Sequence, residues 1–299
     1  MARTASVGTR VIAAGTGGYS GVAASLVRFC RRKPLGAIGG LLICLMVLLA
    51  LGAQIVAPYD PIAMNYATPL TAPGVTYPFG TDNFGRDVLS RVIFGARISL
   101  YVALLSVGLG TSAGAILGVL SGYIGGRFDM IVQRSLVDVI MAFPTLVLAL
   151  GMVSVLGPSV GNVVLAIGTV QMPRSARIVR SAAISVRERE YIEAARAVGA
   201  GPLRVVFLHV VPNCVAPYIV YATGALGAAV IVEASLSFLG VGTPPPTPSW
   251  GGMLAGAGRE YMEVAPWMAI YPGVALSLAV FGFNLLGDSL RDVLDPRLR

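Results

Sequence analysis

Formal charge is what this chain has least of. Only 12% of its 299 residues are Asp, Glu, Lys or Arg, against about 25% in soluble domains. Lysine occurs once, at Lys33 in "RRKPL"; this is no Gly-rich phosphate loop, so the chain carries no nucleotide site of the Walker A kind. Histidine also occurs once, at His209, which leaves no material for a histidine-based triad or a multi-histidine metal site. The three cysteines, Cys30, Cys44 and Cys214, share no metal-ligand or redox spacing and read as small apolar packing residues. A net charge of +8 raises the question of nucleic acid, but the basic residues fall in short runs beside apolar segments rather than in a binding stripe. No covalent chemistry, no bound metal or cofactor, and no nucleic-acid partner are expected of this chain itself.

What is abundant is apolar: 56% of residues are hydrophobic and mean hydropathy is +0.78. Lipid is the solvent this composition fits. A hydrocarbon core of about 30 Å takes roughly 20 apolar residues per helix. Charge-free stretches of that order run Pro34–Tyr59, Ile98–Gly126, Val205–Val232 and Val264–Gly287. Val139–Pro173 is too long for one crossing, and "LGPSVGN" at Leu156–Asn162 supplies the turn that divides it. The predicted fold is therefore all-α and polytopic, with six transmembrane helices at about Leu35–Val56, Ser99–Ser121, Arg134–Leu156, Val160–Arg180, Cys214–Glu233 and Pro266–Leu286. Pro144, Pro173 and Pro272 are expected to kink their spans. With the N-terminus inside, the inner segments hold six, two, seven and three Lys/Arg residues, 18 of the 22 in the chain. That bias puts both termini in the cytoplasm. The first span reads as an uncleaved anchor behind a basic, partly disordered tail.

One inner segment is unlike a connector. "EYIEAARAVGAGPLRVVFLHVVPN" (Glu190–Asn213) begins with helix formers, breaks at Gly199 and Gly201, restarts at Pro202 and closes on Pro212. It reads as a helix–turn–helix elbow held at both ends by membrane helices, able to transmit force. The run Glu193-Ala194-Ala195-Arg196-Ala197-Val198-Gly199, with Pro212 as the closing proline, resembles the EAA motif of ABC importer permeases. His209 and Val211 stand where that family's pattern has isoleucine and leucine. Four further stretches, Phe79–Leu100, Asp138–Leu150, Glu233–Leu254 and Phe283–Arg299, are similar to the C-type subunit of the dipeptide/oligopeptide/nickel branch.

The resemblance implies a type I ABC importer permease in the bacterial inner membrane, not itself an ATPase. The cytoplasmic coupling helix would use Glu193, Ala194, Ala195, Gly199, Pro202, Val211 and Pro212 against the ATPase. Implied partners are a homologous second permease, two ABC ATPase subunits that hold ATP and Mg, an extracytoplasmic substrate-binding protein, and lipid. The implied layout is a tail (1–34), a first span (35–57), an outer loop (58–97), a five-helix core (98–287) holding the coupling loop (187–212) and a second outer loop (235–267), and a C-terminal tail (288–299). Short peptides are the implied cargo, with nickel chelates or glutathione as the alternative.

Several readings stay open on residues alone. Asp82, Arg86 and Asp87 either shape their own turn or touch the binding protein. Trp250, after the prolines of "GVGTPPPTPSW", suits a membrane interface or a gate, and the prolines suit extended polyproline II. Gly110, Gly114, Gly118 and Gly122 put a small-residue stripe on one face, for packing within the chain or against a second permease. Arg174, Arg177 and Arg180 form either a solvated stripe or an ATPase contact. Asp138 and Glu233 fall near helix ends, and no charge is expected at the midplane. That absence argues against an ATP-independent porter, the reading from a different class.

Overall fold

The computed structural model describes residues 30, 31, 33–256 and 260–294. The basic tail, expected to be partly disordered, lies largely outside the described residues, as does the last part of the C-terminal tail. Among the described residues the chain is helical, with no strand beyond an isolated Thr81–Asp87 bridge. In order these are α1 (Pro34–Leu51), α2 (Ala53–Val56), α3 (Val88–Ile124), α4 (Gly126–Ile131), a π-helical turn (Val132–Val137), α5 (Asp138–Met141), α6 (Thr145–Leu156), α7 (Val160–Arg187), α8 (Glu190–Ala197), α9 (Pro202–Val205), a second π turn (Val206–Val210), α10 (Val211–Phe238), α11 (Trp250–Leu254) and α12 (Trp267–Leu294).

Among the described residues, four helical segments are long and apolar enough to cross a membrane, and the pair Gly126–Met141 and Thr145–Leu156, bent by 88°, makes a fifth if counted as one broken span. The expected straight third span, Arg134–Leu156, is thus replaced by a sharp break. Pro144 sits at it, extended at ψ 130°, and the residue before a proline is pushed away from helical torsions. Pro173 and Pro272, expected to interrupt their helices too, lie inside α7 and α12, which run on through them. α7 does not reach the same apolar threshold, because its second half carries four arginines.

α3 starts at Val88 rather than near Ser99, so the expected outer loop 58–97 ends early. The arginines that made its first turns look extramembranous are satisfied by backbone carbonyls from before the helix. Arg91 donates to the Pro61 carbonyl at 2.9 Å, and Arg97 to the Ala50 carbonyl at 3.0 Å. Pro212 also differs from expectation: it does not end a helix, since Pro202–Phe238 is continuous. The π turn shifts the hydrogen-bond ladder by one residue just ahead of Pro212, where an N–H is missing. Asn213 caps the site by donating from Nδ2 to the His209 carbonyl at 2.7 Å.

The glycine stripe decides how the bundle is built. Added Cβ atoms at Gly110, Gly114 and Gly118 would meet the backbone of Gly168, Met172 and Ala176 on α7, and one at Gly122 would lie 2.8 Å from Ala183 Cβ. The stripe therefore packs within the chain, letting α3 and α7 touch backbone to backbone. Around this pair the main core gathers Val102, Val107, Ile167, Val170, Val230 and Phe283 from α3, α7, α10 and α12. One end of the bundle carries the elbow α8–α9. The other carries residues 57–87, 239–256 and 260–266.

Candidate functional site

The elbow is built from a two-sided sequence. α8 and α9 are separated by Gly199, whose φ of +87° is the left-handed conformation that a side chain resists. Pro202 opens α9 at its first position, where no N–H is needed. The inner side, Ile192, Val205, Val206 and Val210, is buried against Val119, Val179, Ala183 and Val186 of α3 and α7. The outer side is left open: Val198 is 86% exposed and Leu203 72%, while Glu193, Ala194 and Gly199 are exposed beside them. Pro212 is exposed, and Val211 and Ala195 are half-buried. The elbow is thus anchored to the bundle through one apolar side and leaves the other exposed.

The arginine stripe of α7 behaves unevenly. Arg180 grips Asp129 of α4 through two hydrogen bonds of 2.5 Å, and Asp129 also accepts from Ser121 of α3. Arg177 pairs with Asp138 at 2.5 Å. These two pairs tie the bent third segment to α7, although Arg177 and Asp138 are each about half exposed. Arg174 instead lines a cavity of about 830 Å³ between α7, α10 and α12 at the elbow end of the bundle. There Tyr221 donates to Gln171 Oε1 at 3.0 Å.

At the opposite end, Asp82 is buried and used by its own turn: Oδ1 accepts from the backbone N–H of Phe84 and Arg86, both at 2.9 Å. Arg86 Nε donates to Asp82 Oδ2 at 2.6 Å. Asp87 caps α3, accepting from the Ser90 backbone at 2.7 Å and its hydroxyl at 2.6 Å. Trp250, expected to suit an interface, is packed inside the chain. It is buried, its ring covers Gly95, and its indole N–H donates to the Val92 carbonyl at 2.9 Å. The proline run turns at Pro245–Pro246 instead of continuing as polyproline II, and the Ser249 side chain then caps α11.

Residues 114–299 match the family described as binding-protein-dependent transport system inner membrane component. The chain belongs to this family. It is 45% identical to the di/tripeptide transport system permease protein of Pseudomonas aeruginosa, over 88% of this chain and 89% of that one. It is 40% identical to the dipeptide transport system permease protein of Alkalihalophilus pseudofirmus (90% and 88% covered). It is also 40% identical to the glutathione transport system permease protein of Escherichia coli (90% and 88%). Its fold is similar to a chain of the MetNI methionine ABC transporter in inward-facing form, with a TM-score of 0.55 at 20% identity, covering 69% of this chain and 96% of that one. The protein is a permease subunit of an ABC importer and a multi-pass inner membrane component.

Two features of the permease escaped the sequence reading. Glu233 was expected near the water boundary, but α10 continues past it to Phe238 and the side chain is fully buried. Its carboxyl accepts from Ser237 at 2.9 Å and Ser99 at 3.2 Å. Ser237 Oγ in turn accepts the Thr243 backbone N–H at 3.1 Å, fastening the following loop. The cavity beside Arg174 was also missed, because its three walls come from segments far apart in the chain. The signal in the sequence was polar residues at helical spacing, Gln171, Arg174 and Ser185, along α7.

Proposed function

We propose that this permease takes up dipeptides or oligopeptides by alternating access, coupled through the elbow to separate ATPase subunits. The observation that carries the reading is the two-faced elbow: an inner face fused to α3 and α7, and an outer face of Glu193, Ala194, Val198 and Leu203 left open. Two ATPase subunits holding ATP and Mg would seat this surface, with Ala195, Gly199, Pro202, Val211 and Pro212 setting its shape. The continuous Pro202–Phe238 helix then carries elbow motion directly into the bundle. Two relatives are named for dipeptides and di/tripeptides, which favours peptide cargo; a third is named for glutathione. Glutathione or a nickel chelate on the same machinery is the second reading.

The full topology belongs to the same proposal. α7 serves as the sixth crossing, with its charge-free half Val160–Pro173 in the bilayer and its arginine half projecting into the cytoplasm. The elbow end is then cytoplasmic and both termini lie there, in keeping with the Lys/Arg bias. A homologous permease completes the pathway, and a substrate-binding protein docks at the other end. Asp82, Arg86, Asp87 and Trp250 serve that docking by holding the outer loops in shape from within. The test is reconstitution of both permeases, the ATPases and the binding protein in proteoliposomes. Dipeptide uptake should require ATP and the binding protein. Glu193→Ala and Gly199→Val should assemble normally yet lose coupled uptake. Uptake that persists without ATP would replace this reading with a porter.

A further inference from the structure

The cavity at the elbow end runs along α7 from Gln171 to Val186, roughly 22 Å of helix axis at 1.5 Å per residue. Its size, about 830 Å³, falls within the roughly 300–1,000 Å³ of small-molecule sites. The charged groups lining it are Arg174 midway along α7, Arg189 just past the end of that helix, and Asp288 and Arg291 on α12. Three guanidiniums therefore face one carboxylate. Neighbours on the same helix, Arg177 and Arg180, are neutralised by Asp138 and Asp129. Among the described residues, Arg174, Arg189 and Arg291 have no carboxylate within 4.0 Å. Behind this charged mouth lie buried Gln171 and part-buried Tyr221, joined by their hydrogen bond. A wall that mixes guanidiniums, one carboxylate and neutral hydrogen-bonding groups is suited to a small zwitterion with a polar body.

We propose that this cavity is a carboxylate-binding site for the transported solute, with Arg174 and Arg291 holding the carboxylate and Asp288 facing the ammonium group. The proposal rests on the peptide-import reading above and deepens it. A peptide has an α-carboxyl pKa of about 3.5 and an α-amino pKa of about 8, so near neutral pH it carries both charges. Guanidinium and carboxylate meet in a planar, two-bonded geometry that an ammonium cannot reproduce. The site thus selects for a free C-terminus while leaving side-chain identity unread.

The test uses the complete importer in nanodiscs, without binding protein or nucleotide, and titrates it calorimetrically with dialanine and with dialanine amide. Dialanine should bind about a hundredfold more tightly than the amide, the worth of two charge-assisted contacts at about tenfold each. Arg174→Gln and Arg291→Gln should each weaken dialanine about tenfold and leave the amide unchanged, while Arg291→Lys should recover part of the loss. Equal binding of acid and amide, or variants that bind dialanine normally, would overturn the proposal. So would variants that shed the ATPase subunits on gel filtration, since the arginines would then be subunit contacts. ATP-driven dipeptide uptake with no carboxylate preference in the cavity would sink this inference alone. Absence of peptide uptake by the complete importer would sink the import reading beneath it.

Discussion

Gly114→Ala, compared with Gly108→Ala on the same helix, measures what the backbone contact between α3 and α7 contributes. A Cβ at Gly114 would lie 2.8 Å from Ser175 Cβ and 3.0 Å from the Ala176 nitrogen, and closer still to the Met172 carbonyl oxygen. None of these is the movable tip of a long side chain, so relief requires a shift of α7 itself. Overpacking of this kind costs about 1–3 kcal/mol. At Gly108 nothing lies within 4 Å of the added methyl. Both changes gain the same helix preference, about 0.5–1 kcal/mol. That shared gain cancels in the comparison and leaves Gly114→Ala less stable than Gly108→Ala by about 1–3 kcal/mol. The assay is the temperature at which half of the detergent-solubilised complex remains monodisperse. It should rise for Gly108→Ala and fall for Gly114→Ala relative to that control. Equal shifts for the two variants would refute the close approach, and with it the assignment of the stripe to packing within one chain.

Three further perturbations probe other joints. Replacing Glu233 by Leu strands the hydroxyls of Ser99 and Ser237 and should cost about 1–3 kcal/mol more than Glu233→Gln, which keeps an acceptor; limited proteolysis between Leu239 and Trp250 should accelerate in the Leu variant only. Asp129→Asn should loosen the bent third segment by roughly 1–2 kcal/mol, between a surface pair and a buried one, because Asp129 and Arg180 both keep some water. Hydrogen exchange over residues 126–141 reads this directly, and unchanged protection there would remove the ion pair from the account. Gly199→Val forces a β-branched residue to φ +87° and should cost about 1–2 kcal/mol. Its effect should appear as ATP hydrolysis uncoupled from uptake, whereas Gly201→Ala, which has open space and φ −66°, should remain coupled.

The class of fold and the place of the elbow were legible before any coordinates, because both rest on local or additive properties. Whether a segment lives in lipid depends on summed hydropathy. Whether a chain breaks at Gly199 and restarts at Pro202 depends on torsions confined to a few residues. Helix ends were less legible. Val88–Arg97 looked like loop because its arginines were counted as solvated, yet their partners, the carbonyls of Ala50 and Pro61, lie in a different part of the chain. Pro144 and Pro173 are equal on paper. One sits at an 88° break and the other inside a continuous helix, and only packing around each tells them apart.

The same division runs through the functional residues. The exposed elbow that carries Glu193, Ala194 and Gly199 could be located from order along the chain, since such an element is contiguous. Trp250 could not: an indole beside prolines reads as interfacial until Gly95 of α3 is seen beneath it. Nor could Glu233, whose burial depends on hydroxyls contributed by Ser99 and Ser237, or the glycine stripe, which fits two partners until α7 is in place. The cavity lined by Arg174, Asp288 and Arg291 exists only because α7, α10 and α12 converge at one end. Lipid preference and backbone torsion are written residue by residue. Pairing of charges, and the space left between helices, arise only when distant segments meet.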